Sequence, residues 1–264
     1  MCLAAIAIQA NPYFPFVCVA NRDEFHNRPT APLHAWSVQG CPIHAGKDLQ
    51  SEGTWLGVSE QGRFALLTNV RKASLNRNDA PSRGELVTRA LRQPLNLSTN
   101  EASQYSGYNL IQGNLIRQSF CYSTNQHIDS PGESSKVLVP GIHALSNGSL
   151  ESNWPKTTSL KNGLSATLGE LKRQPDANEF TEQLLALLAN TSQAQDEDLP
   201  NTGVPYEWEK MLSAKKIVSP AYGTRSSAVI TVDAQSMLCF TEISFNSEGK
   251  ETGRRTVQFE LAAR

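Results

Sequence analysis

The sequence predicts a single α+β domain of stacked sheets with helices outside them. Short β-rich runs open and close the chain, and the helical patterns lie between them. No internal repeat and no linker-like tract divides the 264 residues. A hydrophobic content of 39% at that length can bury a sizeable core.

Taken in order, residues 2–9 are an apolar strand, Asn11-Pro12 is a turn, and residues 14–22 are a second β-rich run, so the chain begins as a hairpin. Residues 25–51, rich in Pro and His, read as irregular. Strands follow at 54–59 and 63–70, joined through Glu60-Gln61-Gly62. Ser82-Arg83-Gly84-Glu85 has the spacing of a capping box ahead of Leu86, Val87, Ala90 and Leu91, which starts a helix there. A shorter helix covers 100–105. Strands at 108–111, 115–122, 137–139 and 141–145 precede helices at 155–171 and 178–189. The second of these places Phe180, Leu184, Leu187 and Leu188 on one face. Residues 190–206 are polar and read as a long loop. Strands at 227–232, 237–245 and 255–261 close the chain.

Composition narrows the function. A net charge of −1 with no basic stripe gives no electrostatic reason to seek nucleic acid. The five cysteines, at 2, 18, 41, 121 and 239, are odd in number and form no C-x-x-C pair. That pattern points to free thiols in a reducing, cytoplasmic setting, not to disulfides or structural zinc. No apolar run reaches the roughly 18–20 residues a membrane span needs. The start, MCLAAIAIQA, lacks a basic n-region and reads as a strand, not a signal peptide.

Cys2 is the first candidate for chemistry. If Met1 is removed, Cys2 carries both a thiol and the free α-amine. With an ordinary pKa of about 7.7–8.0, that amine can serve as base to its own thiol. The bland alternative is a buried cysteine in a strand. The second candidate is Asn21-Arg22-Asp23-Glu24, at the end of a β-rich run. Strand alternation puts Asn21 and Asp23 on one face and Arg22 and Glu24 on the other. One face would then hold an Asn/Asp pair beside Cys2. The alternative is an ordinary charged strand end with Arg22–Glu24 or Asp23–Arg28 ion pairs. Thr68-Asn69, Ser146-Asn147 and Gly223-Thr224-Arg225 each put a hydrogen-bonding side chain at a strand boundary, where turn chemistry is the default role.

Together these residues resemble the NRDE family. The motifs are Cys2, Asn21-Arg22-Asp23-Glu24-Phe25, Arg28-Pro29, Gly53-Thr54-Trp55-Leu56-Gly57, Leu67-Thr68-Asn69, Arg83-Gly84-Glu85-Leu86-Val87, Leu145-Ser146-Asn147, Trp154-Pro155-Lys156 and Tyr222-Gly223-Thr224-Arg225. They run in family order over nearly the whole chain. That family is similar in turn to N-terminal-nucleophile hydrolases of the cholylglycine hydrolase and penicillin acylase kind. The resemblance implies a single NRDE domain over 1–264 with an N-terminal-nucleophile-like αββα four-layer sandwich. It implies Cys2 as nucleophile, Asp23 as orienter of the α-amine, Asn69 as oxyanion donor, Asn147 as a second polar donor and Arg225 as charge support. There is one departure. The hydrolases carry Arg-Asn-x-Asp on the second strand, and here Ala20 falls at the Arg position, so that cation is missing or moved to Arg22.

The NRDE resemblance also implies reversible, non-covalent haem binding in intracellular haem trafficking. A Cys2-dependent amidohydrolase or acyltransferase acting on a small acyl amide is the alternative. For haem, Gly40-Cys41-Pro42-Ile43-His44 offers Cys41 and His44 as iron ligands, with His26 as a further one. Arg22 and Arg28 are candidate cations for its carboxylates. No C-x-x-C-H motif exists for covalent attachment, and no other metal site is expected.

Overall fold

The structure, a computed structural model, describes residues 2–77, 79–126 and 134–261. It is α+β, with two antiparallel sheets in two compact units. The first unit takes in residues up to 27 and residues 140–259; the second takes in residues 28–139 and the C-terminal residues from 260.

In the first unit a six-stranded sheet runs in the order β10-β1-β2-β11-β12-β13. Its strands are β1 (Cys2–Ile8), β2 (Phe16–Phe25), β10 (Gly141–Leu145), β11 (Tyr222–Val232), β12 (Met237–Phe245) and β13 (Glu251–Glu260). Leu3, Ala5 and Ala7 alternate along β1, and Val17 and Val19 along β2. This sets one face of the sheet against α3 (Pro155–Gly169) and α4 (Ala177–Leu188). Leu160, Leu164 and Leu168 recur every four residues on α3 and meet Phe180, Leu184 and Leu188 of α4 in the same core. Phe14 stacks on Phe180 with ring centroids 4.4 Å apart. The α4 N-terminus is capped by the Asp176 carboxylate, which accepts from the N–H groups of Asn178 and Glu179.

The second unit carries a seven-stranded sheet in the order β3-β4-β5-β6-β7-β8-β9. Its strands are β3 (Thr30–Val38), β4 (Cys41–Asp48), β5 (Leu56–Ser59), β6 (Arg63–Asn69), β7 (Tyr108–Asn114), β8 (Ser119–Thr124) and β9 (Ser135–Leu138). The helix α1 (Gly84–Arg92) buries Leu86, Val87, Ala90 and Leu91 against Ile43, Ala45, Ala65, Leu67 and Leu110. Gly53 and Gly84 mark a close approach. A Cβ on Gly53 would lie 2.7 Å from the Gly84 carbonyl carbon, so the turn entering β5 and the start of α1 touch backbone to backbone.

Four expectations are corrected. Residues 25–51 are not irregular, because they hold the end of β2 and the β3–β4 hairpin. Pro32 is tolerated because β3 is an edge strand and the register slips between Ala31 and His34. Ser82-x-x-Glu85 forms no capping box; Arg83 is the α1 N-cap, and its guanidinium donates to Gly107 O. The box forms instead at Ser98 and Glu101, ahead of α2 (Thr99–Ala102). The stretch expected as strand from 115 begins as a turn, where the Asn114 side chain accepts from the N–H groups of Ile116 and Arg117. The polar segment after 190 ends in a short helix, α5 (Tyr206–Met211), which places Trp208 and Met211 on a small core of Leu212, Ala214, Ile217 and Tyr222.

Candidate active site

Cys2 opens β1, buried, directly opposite Arg22 on β2. Arg22 is in turn opposite Ser226 on β11. Residues paired across antiparallel strands share a face, so Cys2, Arg22 and Ser226 project from the same side of the sheet. β10 ends at Leu145, opposite Ala4, and the chain bends through Ser146 and Asn147 beside the start of β1. Ser146 ties Cys2 and Asn147 together, its hydroxyl donating to Cys2 O at 3.0 Å and to the Asn147 side-chain oxygen at 3.3 Å. Cys2, Arg22 and Ser226 thus form a row across the sheet, with Asn147 joined to its Cys2 end through Ser146, and all four residues are buried.

This reverses the expected faces of the Asn21–Glu24 run. Arg22, not the Asn21/Asp23 pair, shares the face of Cys2. Asn21 points to the helix layer, where its amide donates to Leu188 O at 3.1 Å and Lys215 O at 2.7 Å and accepts from the Ser227 hydroxyl at 2.5 Å. Asn21 is therefore a structural clamp between β2, β11 and the helices. Arg22, two residues beyond Ala20, lies opposite Cys2 on the same face of the sheet.

Asp23 is buried and pairs with Thr224. The Thr224 hydroxyl donates to its carboxylate at 2.7 Å and itself accepts from Ile217 N–H. Tyr222 OH donates to Asp23 O at 3.0 Å. Burial pushes the Asp23 carboxyl above the usual carboxylate range, while the Lys156 ammonium pulls the other way. Lys156 was not singled out from the sequence as a site residue. It is only 4% exposed in the first turn of α3. A cation there works against the helix dipole, and the Trp154-Pro155-Lys156 motif was the available signal. Burial also pushes the Cys2 thiol up; Asp23 adds to this, while Arg22 and a backbone hydrogen bond from Asp23 oppose it.

Arg225 sits at a β-bulge. The β2–β11 register shifts between Thr224 and Ser226, with Arg225 at the shift. Its guanidinium donates to Phe25 O at 2.9 Å and His26 O at 3.2 Å. Burial lowers its pKa, and the nearby Arg22 charge lowers it further. Glu24, the last of the four-residue run, is half-buried, accepts from Phe25 N–H at 2.8 Å and opposes that lowering. Asn69 lies in the second unit, half-buried at the end of β6 opposite Tyr108.

The candidate haem residues are dispersed. Cys41 and His44 are three residues apart on β4 and so face opposite sides of the sheet: Cys41 packs toward the α1 core, and His44 lies on the other face. His26 hydrogen-bonds Ser219 O at 3.0 Å. Arg28 pairs with the Asp48 carboxylate at 2.9 Å and donates to Ser51. Among the described residues no group of three or more His, Cys, Asp or Glu side chains converges as a metal site. No helix of the described residues is long and apolar enough to cross a membrane.

The fold and site define an α+β chain whose first strand starts at a cysteine with Arg opposite it across the sheet and Asn joined to it through Ser146. Its sequence matches the family model Transport and Golgi organisation 2 over residues 1–247, and the chain belongs to that family. It is 35% identical to the bovine (Bos taurus) Transport and Golgi organization protein 2 homolog, covering 92% of this chain and 93% of the bovine one. The Homo sapiens homolog is 31% identical over 99% of both chains, and the Drosophila melanogaster protein 25% over 92% and 91%. Among solved structures, it is similar to a C2A mutant of the conjugated bile acid hydrolase from Clostridium perfringens (TM-score 0.48, 9% identity, 99% and 98% coverage). It is also similar to a penicillin V acylase from Agrobacterium tumefaciens (TM-score 0.49, 11% identity, 99% and 92% coverage).

Proposed function

We propose that the chain is a Cys2-dependent amidohydrolase or acyltransferase acting on a small acyl amide. The observation that carries this reading is the buried set Cys2, Arg22 and Asn147, a thiol with a cation opposite it and an uncharged donor joined to it through Ser146. In the form starting at Cys2, the α-amine takes the thiol proton and the sulfur attacks the amide carbonyl carbon. Asn147 donates to the developing oxyanion. Asp23, held by Thr224, orients the amine. Arg22 lowers the cost of negative charge on sulfur and oxygen in a site where burial raises it. The C–N bond then breaks, and the departing amine carries off the proton held by the α-amine. Water, or a second nucleophile in an acyl transfer, cleaves the resulting thioester and regenerates the thiol. The test is turnover of a panel of N-acyl amides. Wild-type protein turns over at least one member, while Cys2→Ala and Arg22→Met do not; activity surviving Cys2→Ala would overturn the reading.

A second reading is haem carriage, with His44, half-buried on β4, as the candidate iron ligand. Burial pulls His44 below the usual histidine range, so its imidazole is neutral at pH 7, the form that binds iron. Burial pushes the Cys41 thiol up, away from the thiolate a ferric iron needs. Here haem is cargo, bound reversibly. Spectral titration with ferric and ferrous haem tests it: saturable binding lost in His44→Ala and kept in Cys41→Ala supports the reading. No saturable binding at micromolar haem contradicts it.

A further inference from the structure

The helix-bearing face of the second unit's sheet is covered only in part. α1 packs over β4 to β7. The strand registers then set out three rungs on the same face: Arg63–Asn114–Ser119, Ala65–Gln112–Cys121–Val137 and Leu67–Leu110–Ser123–Ser135. Over the outer part of these rungs lies a cavity of about 530 Å³, within the range of small-molecule sites. One wall is the segment 94–97. It is fixed by Gln112, whose side chain accepts from Leu95 N–H and donates to Leu95 O.

The cavity is polarised along its length. At the β7–β8 turn it carries Arg63 and Arg117, and no Asp or Glu among the described residues lines it. Arg63 is held at that end by its donation to Ala90 O at 2.8 Å. The opposite end is lined by Tyr108, Leu110, Leu97 and Ala102, with Ser123, Thr124, Asn125 and Ser135 among them and Val137 along the outer side. Val137, opposite Cys121, is 76% exposed. From the Arg63 rung to Tyr108 is six strand residues, about 20 Å. Cations at one end, a trough of apolar side chains interleaved with uncharged polar ones behind them, and no acidic group among the described lining residues suit an amphipathic anion.

We propose that this cavity binds a small amphipathic carboxylate, its acid group at Arg63 and Arg117 and its apolar body along Leu97, Leu110 and Val137. The site is separate from Cys2 and does not depend on the reading of that residue. Isothermal titration of the full chain with laurate tests it, with dodecyltrimethylammonium as a probe of similar tail and opposite charge. Lauryl phosphate, which offers similar charge chemistry, is run beside it. Arg117→Gln and Val137→Asp change exposed side chains and so keep the fold, which thermal melting checks. Saturable one-to-one laurate binding is expected, with none for the ammonium compound. Each variant should weaken it by about tenfold, and Cys2→Ala should leave it unchanged. Equal binding of both charges, or laurate binding untouched by both variants, would overturn the proposal. Binding of lauryl phosphate alone would overturn the carboxylate assignment. A stable dimer through this face that laurate does not disturb would assign the surface to a second copy of the chain.

Discussion

Asn21→Ala separates the structural and chemical roles within the Asn21–Glu24 run. The Asn21 side chain makes three buried hydrogen bonds, to Leu188 O, Lys215 O and the Ser227 hydroxyl. Each is worth about 1 kcal/mol net, and removing one partner leaves buried groups unsatisfied. The loss is therefore about 3 kcal/mol. Urea unfolding followed by far-UV circular dichroism reads it. With a denaturant slope of about 3 kcal/mol per molar, the midpoint falls by about 1 M. Asn21→Asp should be worse than Asn21→Ala, because it turns a carboxylate toward two carbonyl oxygens. Cys2→Ala, which removes one sulfur at the start of β1, should fall far short of either. A midpoint shift below about 0.3 M for Asn21→Ala would refute the clamp and return Asn21 to the candidate chemistry.

Asp23 sets a pH dependence. Its folded pKa is raised by burial, so its contribution is fully present below the ordinary carboxylate pKa of about 3.9 and is lost as pH rises through the folded value. Wild-type stability relative to Asp23→Asn should fall across that window, and a rise would contradict the raised pKa. Arg22→Met should slow iodoacetamide alkylation of Cys2 several-fold at pH 8, read by peptide mass mapping; an unchanged rate would remove Arg22 from the thiol's surroundings. Gly53→Ala should destabilise by about 1–3 kcal/mol through overpacking against Gly84, measured by thermal melting. A neutral outcome would mean that the two backbones separate freely.

Two elements were legible from sequence. The continuous apolar run Cys2–Ile8 reveals β1, which is buried on both faces, and Phe180, Leu184 and Leu188 reveal α4, because burial of one helix face imposes its period on the residues. The β3–β4 hairpin was not, since Pro32, His34, Pro42 and His44 weaken the β signal and only tertiary pairing supports an edge strand of that composition. The identities of Cys2, Asp23, Asn147 and Arg225 were legible as motif members, but their mutual geometry was not. Alternation alone gives which residues of β2 share a face; it cannot say which face Cys2 takes, because that depends on a register of one residue. That register moved Arg22 to the thiol's side and Asn21 to the helices. The bulge at Arg225 and the buried Lys156 likewise depend on cross-strand and helix–sheet packing that no local pattern encodes.

If Cys2 is the nucleophile, it is the first residue of the mature chain and is acylated in turnover. Intact-mass spectrometry of protein quenched during turnover of an N-acyl amide reads both halves at once. The account predicts a chain that begins at Cys2 and gains one acyl group there, with no adduct in Cys2→Ala and little in Arg22→Met. A chain that keeps Met1, or an adduct that survives in Cys2→Ala, would contradict it.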